Sequence, residues 1–154
     1  MPEVRKRVLY CAILLIVVGA TSCLFGAVYF SSSKPMPYHL AFIGMSFEEL
    51  IEFNPNLAAL LAVMVRTVGV CEFAVGILVI GIALGAFRRA ERWAWLTVFP
   101  AVSVVLADIL RACFAGDVPV KWVVLALVLL FLTAMLVPIR DFFGSRVEGS
   151  LGPN

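Results

Sequence analysis

The sequence predicts an all-α integral membrane protein: a four-helix bundle, both termini inside, with a short amphipathic helix in the first outer loop. Three observations carry this expectation. Hydrophobic residues make up 63% of the 154 and charged residues only 14%, where soluble chains have about half and about a quarter. Four apolar runs are close to or above the ~20 residues that a helix needs to cross a bilayer. Lysine and arginine collect on one side of those runs, the side that the positive-inside rule makes cytoplasmic. A water-soluble chain of this size could not hide so much apolar surface, because small chains bury a smaller fraction of themselves. Length indicates a single membrane domain, residues 1–154.

The first run, 8–30, carries no charge. The second, 57–87, contains Arg66 and Glu72. The third, 93–114, contains Asp108 and Arg111, and the fourth, 122–139, is again uncharged. None shows the period-two alternation of a barrel strand. The first run resembles a signal peptide in its basic start, yet it stays apolar from Leu24 to its end, so an uncleaved span is expected. Arg5, Lys6 and Arg7 precede it, and Arg88, Arg89 and Arg92 fill the turn between the second and third runs. Arg140 and Arg146 lie in the tail, 140–154. The opposite connections hold only Lys34 and Lys121, with Glu48, Glu49, Glu52 and Asp117. A multi-pass protein of the cell membrane with cytoplasmic termini follows. Trp93, Trp95 and Trp122 stand near span ends, where interfacial aromatics belong. Pro100 should kink the third span and Pro138 end the fourth.

The outer loop, 31–56, begins with serines and prolines that resist regular structure. Ser46-Phe47-Glu48-Glu49 then fits a capping box, opening a short amphipathic helix with Phe47, Leu50 and Ile51 on its apolar side. Asn54-Pro55 ends it and starts the second span.

The composition excludes several classes. A net charge of +2 with no basic patch argues against nucleic acid. One histidine excludes bis-histidine haem. His39, Glu48, Glu49 and Glu52 lack the Glu-x-x-His pairs of a di-iron bundle, so no metal is expected and the carboxylates read as solvated. Cys11, Cys23, Cys71 and Cys113 form no Cys-x-x-Cys pair and read as small apolar residues. No cofactor is indicated.

The candidate site is the set of charges inside the membrane. Glu72 and Asp108 each stand about 15 residues from the inner turn, roughly 22 Å at 1.5 Å per residue, with Arg111 and Arg66 farther out. A charge facing lipid costs several kcal/mol, so these four should turn inward and pair. Across an antiparallel hairpin, Glu72 is expected to face Arg111 and Arg66 to face Asp108. Such a cluster is either glue between helices or a polar pocket open to the outside. In the pocket, the arginines would hold an anionic group and Glu72 or Asp108 would carry a proton. Gly69, Gly76, Gly81 and Gly85 on the second span, with Gly19, Ser22 and Gly26 on the first, permit close helix approach.

From about Leu57 to Pro138 the layout resembles the DoxX-like group of small four-helix membrane proteins. The residues that carry the likeness are Arg66-Thr67-Val68-Gly69 with Gly76, Trp93-Ala94-Trp95 after the basic turn, Asp108 to Arg111, and Gly116-Asp117-Val118-Pro119. The resemblance implies a four-helix membrane subunit, in some members linked to quinone-dependent sulfur oxidation. The long outer loop departs from the simplest form of that pattern, and no catalytic residue carries over.

Three functional classes fit. The first is a module that binds a lipid-like or quinone-like molecule, or a membrane-protein partner or second copy. The next is a membrane enzyme on a hydrophobic substrate, a quinone-linked oxidoreductase or an isomerase, using Glu72 or Asp108 as acid/base. The last is an oligomeric proton-coupled transporter or channel.

Overall fold

A computed structural model describes residues 3–32 and 34–144. Among them every regular element is helical, and four helices are long and apolar enough to cross a membrane. The first, α1 (Glu3–Ser31), is a valine- and leucine-rich run without proline. Its end is marked by Ser31, whose hydroxyl donates back to the Ala27 carbonyl at 2.7 Å. Pro35 and Pro37 then prevent continuation.

The outer loop holds two short helices, where the sequence suggested one. The unforeseen one is α2 (Pro37–Ile43), with proline at its first position and Gly44 closing it in the left-handed region at φ 72°. Its seven residues give too little periodicity for the pattern to announce it. The expected one, α3 (Phe47–Phe53), starts at the anticipated capping box: Glu49 N–H donates to Ser46 Oγ at 3.1 Å and Ser46 N–H donates to Glu49 Oε2 at 2.7 Å. Asn54 Oδ1 then accepts from the Asn56 and Leu57 amides, both at 3.1 Å, and opens α4 (Pro55–Leu84).

After α4 a single 3-10 turn (Phe87–Arg89) and Ala90, at φ 54°, reverse the chain into α5 (Arg92–Ala115). This helix runs through Pro100 without interruption, although proline leaves the Leu96 carbonyl without its usual amide partner. A turn at Gly116 and Asp117 leads to α6 (Lys121–Leu136), and α7 (Ile139–Phe143) follows Pro138. The expected tail thus begins as a helical turn, and its remainder, 145–154, lies outside the described residues, as does Arg146.

The tightest seam joins α1 to α4, and glycine creates it. Antiparallel packing sets Gly19 against Gly76 and Gly26 against Gly69. A methyl group added at Gly26 would stand 2.7 Å from the Gly69 carbonyl oxygen, and one at Gly76 would stand 2.6 Å from that of Gly19. Only a residue without Cβ lets two backbones come this close. The remaining neighbours run from α1 to α6 and from α6 to α5, giving the order α4, α1, α6, α5. Although α4 and α5 are joined by a short turn, they make little contact with each other. The glycine seam holds α4 on α1, and the α4–α5 side of the arc stays open.

The core is unevenly distributed. Near the chain termini, Leu15, Phe87, Val98, Phe131 and Met135 are fully buried. Phe87 packs on Phe142 with ring centroids 4.7 Å apart, and Trp95 stacks on Phe99 at 4.6 Å. Trp95 Nε1 donates to the Met135 carbonyl at 2.8 Å and Arg92 Nε donates to that of Phe142 at 3.0 Å. The first bond joins α5 to α6, and the second, with Arg7 lying 4.0 Å from Asp141, fastens α7 to its neighbours. Toward the other end the continuous core gives out, and a small cluster around Cys113, Val118 and Val124 takes over.

Candidate functional site

Where the core gives out there is a cavity of about 410 Å3, inside the ~300–1,000 Å3 range of small-molecule sites. All four long helices line it. From α4 come Met64, Val68, Glu72, Val75 and Val79, residues spaced three and four apart that share one helix face. Val102, Val105, Leu106 and Ile109 of α5 stand opposite. The walls from α4, α5 and α6 are mostly aliphatic, because those runs carry valine and leucine at most such positions, while α1 adds Phe25 and Tyr29. Met64 and Val68 on one side and Asp108 and Ala112 on the other are exposed as well as cavity-lining, so the mouth lies between α4 and α5. That mouth is the open side of the arc.

Over the end remote from the chain termini sits α2, which contributes Tyr38, His39 and Phe42 to the lining. The Tyr38 and Tyr29 hydroxyls are hydrogen-bonded to each other. The His39 ring lies 4.5 Å from that of Tyr38 and 5.7 Å from that of Tyr29. Its Nδ1 accepts the Met36 amide proton at 3.2 Å, which leaves Nε2 to carry the ring proton. Burial lowers the His39 pKa below the ordinary imidazole value, so the ring is neutral at pH 7. Burial also raises the Tyr38 hydroxyl, reinforced by the bond to Tyr29. Phe42 occupies the space that the missing side chain of Gly116 leaves free, since a Cβ there would meet the ring at 2.1 Å. The short helix is therefore held at both ends, by Tyr29 of α1 and by the turn before α6.

Glu72 is the polar group of the cavity's middle. Its Oε2 accepts from Ser22 Oγ at 2.6 Å, and no donor among the described residues reaches Oε1. The glycine seam puts it there: Ser22 lies between Gly19 and Gly26, and Glu72 between Gly69 and Gly76, so the two polar residues meet at the same level.

The expected four-charge cluster does not assemble. Arg111 bonds Asp108 on its own helix, with Nη2 2.7 Å and Nε 3.2 Å from Oδ1, and the two side chains are 75% and 68% exposed. Glu72 consequently faces Ser22 and not Arg111. Arg66 lies over the Phe30 ring, 5.3 Å from its centroid, and not beside Asp108. Phe30 belongs to the last turn of α1, so Arg66 stands at that helix's end and Glu72 roughly 9 Å deeper. The pairing failed because it assumed that the α4–α5 hairpin closes on itself.

Of the four outer-loop candidates, His39, Glu48, Glu49 and Glu52, His39 alone joins the site. Glu49 is used in the capping box, where the Ser46 amide and hydroxyl lower its pKa, and Glu48 and Glu52 are exposed on α3. Among the described residues no three His, Cys, Asp or Glu side chains gather around a point where an ion would sit. Gly69 and Gly76 lie in the seam, whereas Gly81 faces open space and Gly85 ends α4. The Gly81-x-x-x-Gly85 spacing is therefore not a contact within the chain. Ser22, Tyr29, Tyr38 and Phe42 are site residues that sequence reasoning missed. Ser22 was visible only as a small residue, and the other three as unremarkable aromatics.

Scanned against protein-family models, curated proteins and solved structures, the chain matches none of them. The geometry must speak for itself.

Proposed function

We propose that the chain is a multi-pass protein of the cell membrane, a four-helix bundle with both termini cytoplasmic, that binds a lipid-like molecule in the cavity beneath α2. The observation that carries this reading is the cavity's construction. Its walls are mainly apolar, with Glu72 at mid-depth, Asp108 at the mouth and Tyr38 and His39 under α2, and it opens sideways between α4 and α5, where a molecule dissolved in the bilayer would enter. Capping by α2 on the loop side fits a ligand that arrives from the lipid. The basic residues at the turn of Phe87–Arg89 and in the first turns of α1 support the orientation, and the likeness to DoxX-like subunits is compatible with it.

Binding is favoured over acid/base catalysis by one detail. Asp108 is tied to Arg111 at the mouth and Glu72 is bonded to Ser22, so each acid already has a partner within the protein. Native mass spectrometry of the protein taken gently from its own membrane tests the reading. A small amphiphile should remain at fixed stoichiometry on the wild type and be lost from Val68→Trp, whose indole would fill the mouth. Equal amounts on both variants, or a bare chain, would contradict it.

A further inference from the structure

Which head group the cavity accepts follows from the charges that line it and those that do not. Neither of the two arginines near it belongs to the lining. Arg66 is drawn to Phe30 at the end of α1, and Arg111 is committed to Asp108, whose charge it balances. Lys121, at the start of α6, is paired with Asp117 in the turn. Glu72 thus enters the cavity with no cation opposite it, one oxygen held by Ser22 and the other free to accept. The remaining polar atoms of the lining are weak competitors. The Tyr29 and Tyr38 hydroxyls share one hydrogen bond, which leaves one O–H free, and the neutral His39 ring keeps its Nε2–H; these donors lie under α2 and carry no charge.

We infer that the occupant is a largely apolar molecule carrying a hydrogen-bond donor without negative charge, an amine or a hydroxyl, which Glu72 receives through Oε1. The inference rests on the ligand-binding reading above and adds the sign of the charge. An anionic head, a carboxylate or phosphate, would enter a low-dielectric space beside the Glu72 carboxylate, and the neutral donors under α2 supply no charge to balance the repulsion. A cation there gains a charge-assisted hydrogen bond, roughly twice as strong as a neutral one, and an alcohol gains the neutral bond. This reverses the expectation from sequence, in which Arg66 and Arg111 hold an anion.

The test compares three probes with one tail, dodecylamine, dodecanol and dodecanoate, offered at equal mole fraction to the full chain in nanodiscs of a zwitterionic lipid. Bound probe is read by native mass spectrometry. The wild type should retain the amine most, the alcohol less, and the carboxylate not at all. Glu72→Gln keeps an acceptor for Ser22 but removes the charge. It should weaken the amine about tenfold, leave the alcohol within a few-fold, and let the carboxylate bind. Retention of dodecanoate by the wild type at the level of the amine, or an amine preference that survives Glu72→Gln, would overturn the inference while leaving the cavity reading intact. Retention of none of the three would overturn both. Because Glu72→Gln could lose the amine by misfolding, its retention of the alcohol is the internal control: loss of the alcohol as well would assign Glu72 to structure and contradict the proposal.

Discussion

The half of the molecule next to the termini and the half beneath α2 are built from the same kinds of residue and pack to opposite results. In the first half phenylalanines fill the centre: Phe87, Phe131 and Phe142 are buried, and Phe99 and Trp95 close the gaps. In the second, α4, α5 and α6 turn mainly valine, leucine and isoleucine inward, and the rings there, Phe25 and Tyr29 of α1 with Tyr38 and Phe42 of α2, do not close the space. A cavity remains between them. Interiors are normally packed to crystal density, so an unfilled volume of this size next to a well-filled one calls for an occupant or a cost in stability. The two halves thus differ in how far their side chains fill the space between the helices.

Substitutions that remove core atoms should separate the halves most strongly. Phe87→Ala should lower unfolding stability in mixed micelles by about 3–5 kcal/mol, the usual loss for a buried phenylalanine. Phe25→Ala, at the cavity wall, should cost about 1 kcal/mol or less because its neighbours already border a void. Equal losses would erase the distinction.

Glycines sharpen it next. Gly26→Ala places a methyl 2.5 Å from the Phe73 amide nitrogen and should cost about 1–3 kcal/mol by forcing α1 and α4 apart. Gly81→Ala meets nothing within 4 Å and should be neutral or stabilise by up to about 1 kcal/mol, the helix propensity gained. The same pair of variants also asks whether Gly81 faces a second copy, since a loss at Gly81 would point to an interface there.

A smaller effect is expected from pH. Burial lowers the folded pKa of His39 below its unfolded value of about 6.5. The unfolded chain then binds the proton more readily, so the stabilising contribution is fully present above pH ~6.5 and is lost progressively as pH falls below it. Hydrogen exchange of the α2 amides should accelerate a few-fold between pH 7 and 5.5 beyond the chemical exchange trend. His39→Asn, which keeps an acceptor for the Met36 amide, should abolish that acceleration. The least response should come from the ion pair in the α5–α6 turn. Asp117 is held at φ 50° and its pKa is lowered by the bond from Lys121. Asp117→Asn retains tolerance of that backbone, so the change in stability should stay within about 0.5 kcal/mol, as for exposed pairs generally.

Much of this architecture was legible in the sequence, and the legible parts share a cause. Spans 8–30, 57–87, 93–114 and 122–139 are local properties of composition, and the Ser46–Glu49 box and the Asn54-Pro55 start are local properties of hydrogen bonding. Each needs only residues that are neighbours along the chain. What stayed hidden depends on which helices touch. The glycines at 19, 26, 69 and 76 were recognised as small, but their pairing into one antiparallel seam, which pulls α4 away from α5, was not. The site expectation fails at that point: Asp108 and Arg111, spaced i,i+3 on one face, bond each other, and the hairpin across which Glu72 would meet Arg111 does not close. Equal seven-residue spacing of glycines on two helices, each with a polar residue between them, is the signal that would have brought Ser22 and Glu72 together.

The measurement that bears most directly on a packed half and a hollow half is methyl NMR of the valine- and isoleucine-labelled protein in deuterated lipid nanodiscs with protonated dodecanol added. Val105 and Ile109, which line the cavity, should show cross-peaks to the alcohol chain, and Val98, buried in the filled half, should show none. Silence at Val105 and Ile109, with cross-peaks confined to outward-facing methyls such as those of Val104, would contradict the account.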